Sequence, residues 1–89
     1  MAKRRRKLNK DFERKIYSSK KNVELVLAKI YDIDDEDIQK EYMSAFNRVV
    51  YLYDGLKENY EEQGFNENSD ELLKNYINAF NLFKSEFEI

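Results

Sequence analysis

Cysteine, histidine, proline and tryptophan are absent from this chain, and its 89 residues include only two glycines. Without cysteine there can be no disulfide, no thiolate nucleophile and no thiolate zinc site. Without histidine the commonest general base and the commonest metal ligand are missing. The lack of proline and the shortage of glycine leave helices free to run long. No apolar run approaches the roughly 20 residues that cross a bilayer. The basic cluster Lys3-Arg4-Arg5-Arg6-Lys7 is not followed by the apolar segment of a secretory signal. These absences lead us to expect a cytoplasmic protein with no membrane partner, folded as one small domain on packing alone.

What is present is charge, unevenly spread. The net charge is −2, yet residues 1–31 hold 11 Lys/Arg against 3 Asp/Glu, and residues 32–89 hold 5 against 15. The two parts therefore carry +8 and −10. Such asymmetry points to nucleic acid or to a charged protein partner. Abundant Lys, Asn, Tyr, Ile and Glu match AT-rich codons, as in low-GC bacteria, their plasmids and phages.

Apolar spacing is helical throughout. Leu8, Phe12, Ile16, Val23, Val26 or Leu27, and Ile30 recur at steps of three and four, with Ser19 in the one missing place. Their opposite face carries Lys7, Lys10, Arg14, Tyr17 and Lys21. Ser18-Ser19 is the weakest point of this first helix and the place where it would break. Asp34 reads as the N-cap of a second helix, with Ile33 and Ile38 as a hydrophobic staple. Ile38, Tyr42, Ala45 or Phe46, Val49, Tyr53, Leu56 and Tyr60 continue its stripe. Gly64 closes it in the left-handed region, with Phe65 folding back on Tyr60 as in a Schellman cap. Asn68-Ser69-Asp70-Glu71 resembles a capping box that opens a third helix, whose apolar face runs through Leu73, Tyr76, Ile77, Phe80, Phe83 and Phe87. The stretch Tyr42 to Asn47 echoes Tyr76 to Asn81 at the 34-residue tetratricopeptide period. A repeat of that kind would need a turn near Val49 to Tyr53, where the pattern stays helical. The echo therefore implies two helices with similar packing layers.

The expected fold is all-α. It is a three-helix bundle, or four-helix if the first helix breaks, with residues 1–7 as a disordered basic arm and residues 8–89 as a single helical domain. The helices should span about 8–31, 35–63 and 69–88. Phe46, Val49, Leu56, Ile77 and Phe80 are the expected core.

Chemistry finds little footing in these residues. A calcium loop starting at Asp32 would need Gly at its sixth place and Glu at its twelfth, which hold Asp37 and Met43. Ser18, Ser19, Ser44, Ser69 and Ser85 have no histidine to activate them. No glycine-rich phosphate loop is present. We expect no enzyme, no metal and no cofactor. The strongest functional pattern is the basic one: Lys3, Arg4, Arg5, Arg6, Lys7, Lys10, Arg14, Tyr17 and Lys21 as nucleic-acid-binding residues, with Tyr17 able to stack or to bond a phosphate. The expected role is a small regulatory or accessory protein on DNA or RNA. The alternative is an acidic interaction module or inhibitor, of phage or plasmid type, that binds a protein through Asp54, Glu58, Glu61 and Glu62. Seven Tyr and six Phe exceed what three short helices can hide, so a homodimer or higher oligomer is expected, with Tyr51, Leu52, Leu82, Phe83 and Phe87 at the interface.

Overall fold

The computed structural model describes residues 7–87. Three helices account for most of them: α1 (Lys10–Tyr31), α2 (Glu36–Gln63) and α3 (Ser69–Phe87). No strand occurs among the described residues; there is a single isolated parallel bridge between Lys7 and Gly64. Helix α2 lies between the other two in the chain and packs on both.

Helix α1 begins two residues later than its apolar pattern suggests. Asn9 is extended and its Oδ1 accepts from the Phe12 N–H at 3.0 Å, so it serves as the N-cap. Leu8 therefore lies outside the helix and is 68% exposed. The helix then runs unbroken through Ser18-Ser19, so three helices form and not four. Ser19 is buried, and its hydroxyl is satisfied by the Lys15 carbonyl one turn back at 2.7 Å. Its small side chain leaves room for Tyr76 of α3, whose hydroxyl donates to the Ser19 carbonyl at 3.3 Å. That space matters, because no Cα of α1 comes within 8 Å of one in α3. The Tyr76 side chain spans that distance to reach the α1 backbone.

The start of α2 is shifted by one residue from the sequence expectation. Asp35, not Asp34, is the N-cap, and its Oδ1 accepts from the N–H groups of Asp37 and Ile38 at 2.9 and 3.1 Å. Ile38 is 44% exposed, so it takes no place in the core and the expected staple with Ile33 does not bury it. Gln39 closes the preceding helix instead: its Nε2 donates to the carbonyls of Ile30 and Tyr31, both at 3.2 Å. The Tyr31 carbonyl is thereby satisfied, and the Ile30 carbonyl, which also accepts from the Ile33 N–H at 3.1 Å, gains a further donor.

The α2–α3 turn also departs from expectation. Gly64 does adopt a positive φ of 72°, and its N–H reaches the Tyr60 carbonyl at 2.8 Å. The next N–H, however, does not return to the helix as a Schellman motif requires. Phe65 N–H donates to the Lys7 carbonyl at 2.6 Å. Its ring meets Phe12 at 5.2 Å, and Phe12 in turn lies against Tyr60 at 5.4 Å. Asn66 then organises the entry to α3. Its Oδ1 accepts from Asn68 N–H, its Nδ2 donates to Asn59 Oδ1 and to the Gly64 carbonyl, and its own N–H donates to the buried Ser69 hydroxyl. The Asn68 carbonyl accepts the first helical bond, from Leu72 N–H at 3.0 Å, but the ordering side chains are Asn66 and Ser69.

The core is rich in aromatic residues and runs along α2 from Phe46 to Tyr60. Phe46, Val49, Tyr53, Leu56 and Tyr60 bury their side chains between Phe12, Val23, Val26 and Ile30 of α1 and Leu73, Tyr76 and Phe83 of α3. Tyr42 meets Phe87 at 4.8 Å, Phe46 meets Phe83 at 4.8 Å and Tyr53 meets Tyr76 at 5.9 Å, which sets the register of an antiparallel hairpin. Phe46 and Phe80, equivalent positions of the 34-residue echo, face each other across it at 6.3 Å. Of the expected core residues, Ile77 lies outside the core and Phe80 packs against its edge. Ile77 is 42% exposed and Phe80 is half-buried, because both sit on the flank of α3 that faces the wide gap to α1.

Candidate nucleic-acid interface

Helix α1 buries one face and presents the opposite one to solvent. The buried positions Phe12, Ser19, Val23, Val26 and Ile30 define the inner side. At 100° per residue, Lys10, Arg14, Tyr17 and Lys21 fall on the outer side, and all four are exposed. From Lys10 to Lys21 the row extends about 16 Å, roughly five base-pair steps of a duplex strand. Because both ends of α1 are tied to α2, the row is held on a rigid rod. Asn9 N–H donates to the Tyr60 hydroxyl at 3.1 Å at one end, and Gln39 holds the other.

The contacts these side chains make are weak and exchangeable. Arg14 lies 3.8 Å from Asp11, with both side chains more than 80% exposed. Exposed pairs of this kind contribute about 0–1 kcal/mol, so Arg14 stays available to an incoming anion. The Lys21 ammonium sits 5.0 Å from the centre of the Tyr17 ring. Lys7 stands apart from the row. It precedes the helix, its carbonyl is held by Phe65, and its ammonium lies 5.9 Å from the Phe65 ring. Lys3, Arg4, Arg5 and Arg6 lie outside the described residues.

The two flanks of α1 differ in charge. On the α2 side, a groove is lined by Glu13 and Glu61 as well as by Lys20 and Lys57. The Tyr53 hydroxyl in this region is pushed above its ordinary pKa by burial, and further by the carboxylates of Asp54, Glu24 and Glu61. On the α3 side, a groove of about 360 Å³ carries Arg14, Lys15 and Asn22 on one wall and Ile77, Phe80 and Asn81 on the other, with no carboxylate in its lining. Arg14 belongs to this groove and to the outer row at once. Lys15, Asn22 and Asn81 were not among the residues expected from sequence. Their helical positions could be read, but not the flank on which α3 would dock.

The acidic residues Asp54, Glu58, Glu61 and Glu62 are exposed on α2, and Glu61 pairs with Lys57 at 3.9 Å. Tyr51, 77% exposed, lies on the same outer side of α2. No helix among the described residues is long and apolar enough to cross a membrane. No family model, curated protein or solved structure matches the chain, so the functional reading rests on its own residues.

Proposed function

We propose that this chain is a small non-enzymatic accessory protein that binds nucleic acid through the outer face of α1, extended by the basic residues that precede it. The observation that carries the reading is the placement of Lys10, Arg14 and Lys21, with Tyr17 among them, on one exposed stripe of a helix anchored at both ends. A preformed row of cations neutralises backbone phosphates with little loss of side-chain and backbone freedom on docking. The α3 flank, with Lys15 and no carboxylate in its groove, favours a ligand that lies toward α3. The α2 flank, where Glu13 and Glu61 offset Lys20 and Lys57, offers no such net attraction. Such binding is driven by phosphates and reads sequence poorly. Lys3, Arg4, Arg5 and Arg6 add electrostatic attraction in this reading, and the acidic outer face of α2 points away from the ligand.

A mobility-shift series on duplex DNA, single-stranded DNA and RNA at low salt tests this. Wild type is expected to bind at least one of the three, and K10A/R14A/K21A to bind it markedly less. If wild type binds none, the row is a solvated face. The acidic face of Asp54, Glu58, Glu61 and Glu62 then becomes the surface to pursue, with a basic protein as its partner.

A further inference from the structure

Ile77 and Phe80 are large apolar side chains that the bundle leaves partly uncovered. Both line the groove between α1 and α3, together with buried Leu73 and Tyr76. The groove sorts its polar groups by position. Helices α1 and α3 run in the same direction, each antiparallel to α2, and the bond from Tyr76 to the Ser19 carbonyl aligns them. Arg14 and Lys15 then lie beside the turn of Leu73, and Asn22 beside the turn of Phe80 and Asn81. The two levels are roughly 10 Å apart by helix rise. One turn beyond Phe80, exposed Lys84 holds its ammonium 5.8 Å from the centre of the Phe80 ring, so a face of that ring is reached from solvent. The groove therefore has cations at both ends, an aromatic and aliphatic floor, two exposed carboxamides and no carboxylate.

A nucleotide carries the complementary pattern: an anionic phosphate, an apolar π-face, and donors and acceptors along the base edge. Each carboxamide offers both a donor group and an acceptor, and no other described residue engages Asn22 or Asn81 through its side chain. In a duplex the base faces are stacked and the pairing edges are occupied, so only an unpaired base presents both. An anionic acyl chain would also cover Phe80, but it would take water from both amides and return no partner. We propose that this groove receives an unpaired base of a single-stranded nucleic acid, a reading that rests on the phosphate-binding role of the α1 row. Arg14, shared by the row and the groove, holds the phosphate at the point where the strand turns in. The base lies over Ile77 and Phe80 with its edge toward Asn22 and Asn81. The row alone holds duplex and single strand alike; the groove adds a preference for the unpaired strand.

Fluorescence anisotropy on the full chain at low salt tests this with three labelled probes: a short single strand, the same strand with its bases removed, and the duplex of the same sequence. Wild type should bind the intact single strand about tenfold more tightly than either of the others, the scale of one stacked base. F80L keeps the apolar bulk and removes the aromatic face. N22A/N81A removes both amides at exposed positions. Each should lose most of that preference while binding the abasic strand and the duplex as wild type does, which also shows that the variant is folded. K10A/K21A, by contrast, should weaken all three probes and keep the preference. An intact strand bound no more tightly than the abasic one overturns the groove and leaves the row standing. So does either groove variant that keeps the full preference. A wild type that binds none of the three removes the row and the groove together.

Discussion

Gly64 and Gly55 place opposite demands on a side chain. Gly64 turns the chain out of α2 at φ 72° and ψ −162°, a region that is nearly glycine's alone and costs another residue about 1–3 kcal/mol, whereas Gly55 lies mid-helix with nothing within 4 Å of where a Cβ would stand. Gly64→Ala should therefore lower the free energy of unfolding by about 1 kcal/mol or more. Gly55→Ala should raise it by about 0.5–1 kcal/mol, because alanine loses less backbone freedom in a helix. Chemical denaturation of the two variants checks both signs. Burial sets a second residue-scale effect. It raises the pKa of the Tyr76 hydroxyl, and of Tyr53, above the ordinary value of about 10. A tyrosine whose folded pKa is raised stays neutral in the bundle while the unfolded chain ionises. Its contribution is complete below pH about 10 and is lost as pH climbs through the folded pKa. Thermal melts should accordingly fall above pH 10, and Y53F/Y76F should fall less steeply over the same range. The stop at Gly64 was legible from sequence because glycine next to a helical run has few other uses. The burial of Ser19 was legible only as a gap in the stripe, since its role depends on a tyrosine 57 residues away.

At the scale of elements, helix identity and face follow from spacing, while helix ends follow from which polar side chain wins the cap. Asp34 and Asp35 are both competent caps. The structure uses Asp35, and Gln39 then reaches the carbonyls that end α1. Asp35→Ala should cost about 0.5–2 kcal/mol, and Asp34→Ala far less, which a pair of urea titrations resolves. The long-range ties were not legible, because they join segments that are distant in sequence. Lys7 to Phe65 and Asn9 to Tyr60 fasten the start of α1 to the end of α2. Ile77 and Phe80 illustrate the same limit. Periodicity places both on the inner side of α3, but the distance between α1 and α3 leaves one exposed and the other half-covered. Phe46, closed in on all sides, should cost about 3–5 kcal/mol when changed to alanine. Phe80→Ala should cost clearly less.

Across the whole molecule, charge and apolar surface are sorted by side. The cationic row faces outward on α1, the carboxylates cluster on α2, and a groove with one charge of each sign lies between α2 and α3 with no α1 residue in its lining. The opposition of +8 and −10 was legible from the chain as written. The flank of α1 that carries Lys15 into a groove free of carboxylates was not, because it depends on where α3 docks. Central to this account is that the α1 row itself meets phosphate. The salt dependence of binding tests that most directly. Between about 50 and 200 mM salt, wild type should show a slope of log affinity against log salt near −4 to −5, as four to six neutralised phosphates require. R4A/R5A/R6A should flatten that slope and weaken binding to all sequences alike. K10A/R14A/K21A should flatten it by about 2–3 and lose more affinity, because a rigid helix gives up little freedom on docking. A wild type that fails to bind at the lower salt, or a K10A/R14A/K21A variant that keeps the wild-type slope, would contradict the account.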